Sequence, residues 1–177
     1  MHHSSILPCA SRQGAPKHLI KYLKNAYQGC TTTLHCHPSS PEIKMTRGVK
    51  QGDPLPPILF NSVIDEVVAS LPSKLGVKIG DQYINALAFA DDLCIATSST
   101  AGLQSCLNQL QKEAACASLV FNPSKSATIS KNINRQIRFS TNTFKINGET
   151  IPALKPEDQI RYLRARFSLA GQQIGKT

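Results

Sequence analysis

Apolar residues recur along this chain with two periods. At three- and four-residue spacing, Leu19, Tyr22, Leu23, Ala26 and Tyr27 mark one face of a predicted helix from Pro16 to Tyr27. Pro16 suits a first helical turn, and Gly29 stands just past the end. Ile58, Leu59, Val63, Val67, Val68 and Leu71 repeat the pattern from Pro57 to Leu71, where Pro72 stops it. A third helix is predicted from the N-cap hydroxyls of Ser98, Ser99 and Thr100 to about Leu119, carried by Leu103, Leu107, Leu110, Ala114 and Ala117. Short β-prone runs lie between and after these helices. Thr31 to Cys36 is one, broken by Pro38-Ser39-Ser40-Pro41, with Ile43 to Arg47 as the returning strand. Val77 to Gly80 precedes a turn at Gly80-Asp81-Gln82, and Leu119 to Phe121 is a short strand before the break at Asn122-Pro123. Phe144 to Ile146 and Glu149 to Ile151 flank Asn147-Gly148, a strong hairpin signal, and Ile160 to Phe167 reads as a last strand.

The run Ala86-Leu87-Ala88-Phe89-Ala90-Asp91-Asp92-Leu93-Cys94-Ile95-Ala96 is different in kind. Two apolar segments of strand length flank adjacent carboxylates, which predicts a hairpin whose tip, Ala90-Asp91-Asp92, holds both acids. Carboxylates in so apolar a setting need a positive partner. Mg²⁺ prefers one or two carboxylates completed by phosphates and water, so a divalent cation is the natural candidate. A plain solvated turn is the competing reading, because Asp is common in turns.

Composition narrows the setting. The 177 residues are enough for one ordinary domain, and 41% hydrophobic with 18% charged residues reads as globular. Residues 16–167 are expected to form that domain, with 1–15 disordered or weakly ordered and 168–177 a tail. No apolar run approaches the roughly 18 residues of a membrane span. The first residues lack the basic and apolar regions of a secretory signal. An intracellular protein, nuclear or cytoplasmic, without membrane attachment is the expectation. The six Cys include no CxxC pair and read as reduced thiols. Residues 1–50 carry seven Lys/Arg against Glu42 alone, a net +6; residues 51–124 net −4; residues 125–177 net +7. Basic arms around an acidic centre suit a metal site acting on a polyanion such as nucleic acid. Cys30, His35, Cys36 and His37 fit no common zinc spacing. Gly171 to Thr177 is one residue short of a P-loop. All five His lie at or before residue 37, which disfavours a hydrolase triad.

One further segment decides the reading. Arg47-Gly48-Val49-Lys50-Gln51-Gly52-Asp53-Pro54-Leu55-Pro56-Pro57 packs two Gly and three Pro into eleven residues, so it is a shaped loop feeding the second helix. With Ile58-Leu59-Phe60-Asn61, this loop resembles the template- and nucleotide-contacting loop and helix of reverse transcriptases of non-LTR retrotransposons. Phe89-Ala90-Asp91-Asp92 is similar to the catalytic hairpin of that family. Leu119-Val120-Phe121-Asn122-Pro123-Ser124-Lys125-Ser126 resembles the segment whose lysine lies near the incoming phosphates, and Arg161-Tyr162-Leu163 the start of the primer-gripping strand. All four occur in the family's order.

The resemblance implies an α+β fold: part of a polymerase palm, a small antiparallel sheet packed on two helices, from Pro57 to Leu71 and from about Thr100 to Leu119. It implies RNA-directed DNA synthesis on an RNA template and DNA primer from deoxynucleotides, with two Mg²⁺ ions about 4 Å apart. Asp91 and Asp92 would be the metal-side carboxylates, and Lys125 would neutralise or protonate the leaving pyrophosphate. Arg47, Gln51, Gly52 and Pro54 would line the nucleotide and template pocket, with Phe89 beneath the primer terminus. Tyr162 and Leu163 would support the primer backbone. The departures matter as well. The family has another metal-binding Asp upstream of the loop, whereas Glu42 is the one acid before Arg47 here, and a chain without the fingers is expected. Pro56 stands where the family usually has Ser, and Arg164 where it has Gly. The expectation is a truncated portion of the domain, inactive alone. A non-catalytic nucleic-acid-binding remnant and a pseudogene product without a stable fold are the alternatives.

Overall fold

The computed structural model describes residues 1–35, 39–48, 55–132, 138–139, 142–155, 158–163, 165–168 and 173–174. It is a mixed α and β molecule that divides into two compact units. Residues 1–69 with 114–119 form one unit, and residues 70–113 with 120–177 form the other. None of the helices among the described residues is long and apolar enough to cross a membrane.

The first unit holds α1 (His3–Arg12), α2 (Lys17–Tyr27), β1 (Thr31–Thr33), β2 (Glu42–Lys44) and α3 (Leu55–Ala69). Within residues 1–15, expected to be disordered or weakly ordered, the described chain forms α1. Ile6, Cys9 and Ala10, at i, i+3 and i+4, form a buried stripe, and the His2 side chain accepts a hydrogen bond from the Ser4 N–H at the helix start. Pro8 disguises this pattern, because a proline inside a short segment reads as a breaker. The stripe packs with Leu23 and Tyr27 of α2 and Leu59 of α3. His3 meets Tyr27 edge to face at 4.8 Å between ring centroids. Arg12 grips Glu66 through Nε and Nη2 at 3.0 and 2.6 Å, and this guanidinium holds the Glu66 carboxyl below its usual range. Helix α3 starts two residues before the expected Pro57. Pro56 and Pro57 fall in its first turn, where a missing N–H loses no helical bond. Strands β1 and β2 pair antiparallel, Thr31 opposite Lys44.

The second unit holds residues 100–113 of α4 (Thr100–Cys116) and four hairpins. They are β3 (Val77–Ile79) with β4 (Gln82–Ile84), β5 (Ala86–Phe89) with β6 (Asp92–Ile95), β7 (Lys131–Asn132) with β8 (Arg138–Phe139), and β9 (Phe144–Ile146) with β10 (Glu149–Ile151). A three-stranded sheet joins β11 (Gln159–Tyr162), β12 (Ala165–Ser168) and β13 (Gln173–Ile174). The molecule is α+β, as expected, and the described residues form four α-helices and six small antiparallel sheets. Gly76 is required by close approach, since a Cβ there would lie 2.7 Å from the Ile84 carbonyl. Ser99 caps α4, its Oγ accepting from the Gly102 N–H at 3.0 Å.

Two expected strands resolve differently. Leu119 is taken up by the end of α4: its N–H donates to the Ala114 carbonyl and that of Ser118 to Ala115, while Ser118 adopts φ +53°. This is the Schellman arrangement, and it leaves Leu119 to Phe121 outside any strand. The strand expected from Ile160 to Phe167 folds back on itself as β11 and β12, with Tyr162 opposite Ala165 and Leu163 at φ +49°.

Candidate functional site

The carboxylate hairpin forms where the sequence places it. Ala86 pairs with Ile95, Leu87 with Cys94, Ala88 with Leu93 and Phe89 with Asp92. That register leaves a two-residue connection, Ala90-Asp91, with Ala90 at φ +51°. Asp92 is therefore the first residue of β6 rather than part of the turn. Paired residues share a face of a hairpin and alternate along each strand. One face carries Ala86, Ala88, Leu93 and Ile95; the other carries Leu87, Phe89, Asp92 and Cys94. The second face is open to solvent, with Leu87 56% and Phe89 66% exposed. Asp91 and Asp92 are both exposed.

Behind the hairpin lies an apolar cavity of about 450 Å³, lined by Leu93 and Ile95 of β6, Leu103 and Leu107 of α4, and Ile160 and Tyr162 of β11. Burial pushes the Tyr162 phenol pKa upward, and the neighbouring Cys94 and Asp92 add to the rise. The structure thus brings Tyr162 into the electrostatic neighbourhood of Asp92. The Cys94 thiol is also pushed up by burial of its sulfur, although the residue as a whole is exposed.

The other expected site residues fall as follows. Lys125 is exposed on a one-turn 3₁₀ helix, Pro123–Lys125, whose entry is fixed by the Asn122 side chain accepting from the Ser124 N–H at 3.1 Å. Among the described residues no hydrogen bond or ion pair joins Lys125 to Asp91 or Asp92. Arg47 is exposed in the first unit and pairs with His2 through an isolated bridge. Gln51, Gly52 and Pro54 lie outside the described residues, as do Cys36 and His37 of the weighed metal cluster. Leu163 is exposed at the β11 to β12 turn. Ala90 is a feature that sequence reasoning missed: alanine gives no signal of a left-handed turn.

The donor chemistry can be judged from this geometry. No group of three His, Cys, Asp or Glu side chains gathers among the described residues. Two adjacent solvent-facing carboxylates do not make an all-protein cage. They do fit an ion that keeps its waters and completes its shell with substrate phosphates, which is the habit of Mg²⁺.

The family model described as reverse transcriptase (RNA-dependent DNA polymerase) matches residues 2–164. The chain belongs to the reverse transcriptase family. It is 38% identical over 176 residues to the retrovirus-related Pol polyprotein from type-2 retrotransposable element R2DM of Drosophila melanogaster, covering 96% of this chain and 16% of that protein. Similar polyproteins from type-1 retrotransposable element R2 are 32% identical in Nasonia vitripennis and 34% in Popillia japonica, each over 96% of this chain. They are covered over 17% and 25% of their own lengths. This reverse transcriptase chain thus spans a quarter or less of these three relatives.

Proposed function

We propose that these residues form part of a polymerase palm that serves RNA-directed DNA synthesis by a retrotransposon protein. The observation that carries the reading is the β5–β6 hairpin of this reverse transcriptase chain, which presents Asp91 and Asp92 to solvent beside the bare ring of Phe89. Asp91 and Asp92 would hold Mg²⁺. When bound there, Mg²⁺ would lower the pKa of a primer 3′ hydroxyl and offset the charge that gathers on the transferred phosphoryl group. The chain's own work is positioning and electrostatics. Phe89, on the same face as Asp92, offers an apolar seat for the terminal base pair. Lys125 meets the negative charge of departing pyrophosphate. By resemblance to the family, Arg47, Gln51, Gly52 and Pro54 would contact nucleotide and template. Tyr162 and Leu163 carry the primer backbone, with Tyr162 also walling the cavity behind the acids.

The test is primer extension with an RNA template, a DNA primer, deoxynucleotides and Mg²⁺. The 177-residue chain alone is expected to give none. Placed in the Drosophila relative in exchange for the matching segment, it should support extension, and Asp91→Asn should reduce that by on the order of 100-fold or more while primer–template binding persists. Extension that survives Asp91→Asn would remove the catalytic assignment. A second reading, nucleic-acid binding without chemistry, is favoured by the +6 balance of residues 1–50, and salt-sensitive duplex binding by the chain alone would fit it.

A further inference from the structure

We propose that the outward face of α2 is a binding surface for single-stranded RNA. The proposal rests on the nucleic-acid reading above and adds the place and the kind of strand. Helix α2 buries Leu23 and Tyr27, with Leu19, Ile20 and Ala26 packed beside them against the first unit's core. Its remaining residues, Lys17, His18, Lys21, Tyr22, Lys24 and Asn25, are all exposed, as is Gln28 just past its end. At about 100° per residue, Lys17, Lys21, Lys24 and Gln28 fall in a strip roughly 60° wide, and the three lysines span about 10 Å of helix. His18, Asn25 and Tyr22 flank the strip on one side.

Every polar group on this face except the Tyr22 hydroxyl is a cation, an amide or an imidazole. Residues 1–41 contain no Asp or Glu, and among the described residues none of the three lysines is paired with a carboxylate. The helix also begins with Lys17 and His18 and has no acid in its first turn. Positive charge opposes the macrodipole there, and an arriving anion would relieve it. Charge complementarity therefore selects a polyanion. Tyr22 selects the strand: its side chain is 54% exposed about 100° round the helix from Lys21, beyond His18 and Asn25 and next to the apolar face with which its spacing had grouped it, and a basic track flanked by an exposed aromatic is an arrangement on which unpaired bases stack. Duplex bases are already stacked and have no face to offer. His18, Asn25 and Gln28 supply hydrogen-bonding groups that a ribose 2′-hydroxyl can meet, which favours RNA over DNA.

The test is fluorescence anisotropy of the whole 177-residue chain with a labelled, unstructured RNA of about 16 nucleotides, titrated between about 50 and 200 mM KCl. Replacing Lys17, Lys21 and Lys24 together with Gln should lower the slope of log K against log salt by about 2, at roughly 0.7 per phosphate contact on a single strand. The charge-matched control, Gln at Lys74, Lys78 and Lys112, should change it by less than about 0.7. Arg in place of the three α2 lysines should restore the slope. Tyr22→Leu should weaken RNA binding about tenfold, leave the slope unchanged and spare duplex binding. Should the Gln triple lose its cooperative melt, the single Lys21→Gln takes its place: a slope lowered by about 0.7 supports the surface, and an unchanged slope rejects it. If wild-type chain binds RNA and the α2 triple keeps its slope, or both triples lose equally, the surface is wrong while the nucleic-acid reading stands. Tighter binding of duplex, of single-stranded DNA or of polyglutamate than of RNA overturns the choice of occupant. If wild-type chain binds no nucleic acid, both readings fall.

Discussion

The β5–β6 and β9–β10 hairpins share one plan and obey opposite rules. Each joins two short antiparallel strands through two residues. In β9–β10 the turn is Asn147-Gly148, at φ +53° and +78°, the pair that a tight hairpin with two left-handed residues favours. Its side chains Phe144, Ile146 and Ile151 are buried. Helix α4 then clamps its edge. The Gln104 side-chain amide donates to the Lys145 carbonyl at 2.8 Å and accepts from its N–H at 3.0 Å, as a neighbouring strand would. Gln111 accepts from the Asn147 N–H at 2.8 Å. In β5–β6 the turn is Ala90-Asp91, with alanine in the left-handed region where glycine is the usual occupant. One face is left open, with two large apolar side chains on it. Local sequence and fold agree in the first hairpin and conflict in the second. Such conflict gathers where a chain binds or reacts rather than where it is merely held together. The β11–β12 turn, with Leu163 at φ +49°, belongs with the second kind.

The contrast can be broken from its stable side. Ile146→Ala removes a buried side chain that lines the cavity shared with Leu103 and Leu107 of α4, and should cost about 2–5 kcal/mol in urea unfolding. A loss under about 1 kcal/mol would mean that the β9–β10 face is not packed as described. Gly148→Ala forces a Cβ into the left-handed region, though it meets no atom within 4 Å, so its cost of about 1–2 kcal/mol is purely conformational. An unchanged melting midpoint would show that this turn tolerates L-residues freely. Gln104→Ala removes the paired contacts to Lys145 at an exposed edge. It should cost about 1 kcal/mol and speed hydrogen exchange at the Lys145 amide. Unaltered exchange there would deny the clamp.

How far the sequence foretold this molecule follows the same division. Asn147-Gly148 was legible because its turn chemistry is local, and α2 because its apolar spacing is unbroken. The carboxylate hairpin was legible from two strand-length apolar runs, but not its register. Whether Asp92 belongs to turn or strand depends on Phe89 pairing with it rather than with a later residue. Helix α1 was hidden by Pro8, whose breaker signal outweighs a three-residue stripe until the partners from α2 and α3 are known. Leu119 reads as strand by composition, yet its N–H is claimed by the end of α4. The electrostatic influence of Asp92 on Tyr162 links residues seventy positions apart, and no local pattern reports such a coupling. The exposed lysine row was visible only as charge, until the buried face of α2 fixed which way it points.

The sharpest use of the comparison is its smallest effect. Ala90→Gly relieves the left-handed alanine but adds chain entropy to the unfolded state. The two together should stabilise the chain by about 0.5–1 kcal/mol, opposite in sign to Gly148→Ala at the sister turn. If strain at Ala90 helps to hold Asp91 and Asp92, the same substitution in the chimera with the Drosophila relative should lower primer extension several-fold as stability rises. Equal stability with full activity would reduce Ala90 to an ordinary turn residue. A loss of stability would mean that the alanine methyl makes a contact worth more than the strain, and the opposition between the two hairpins would then lie in their exposed and buried faces alone.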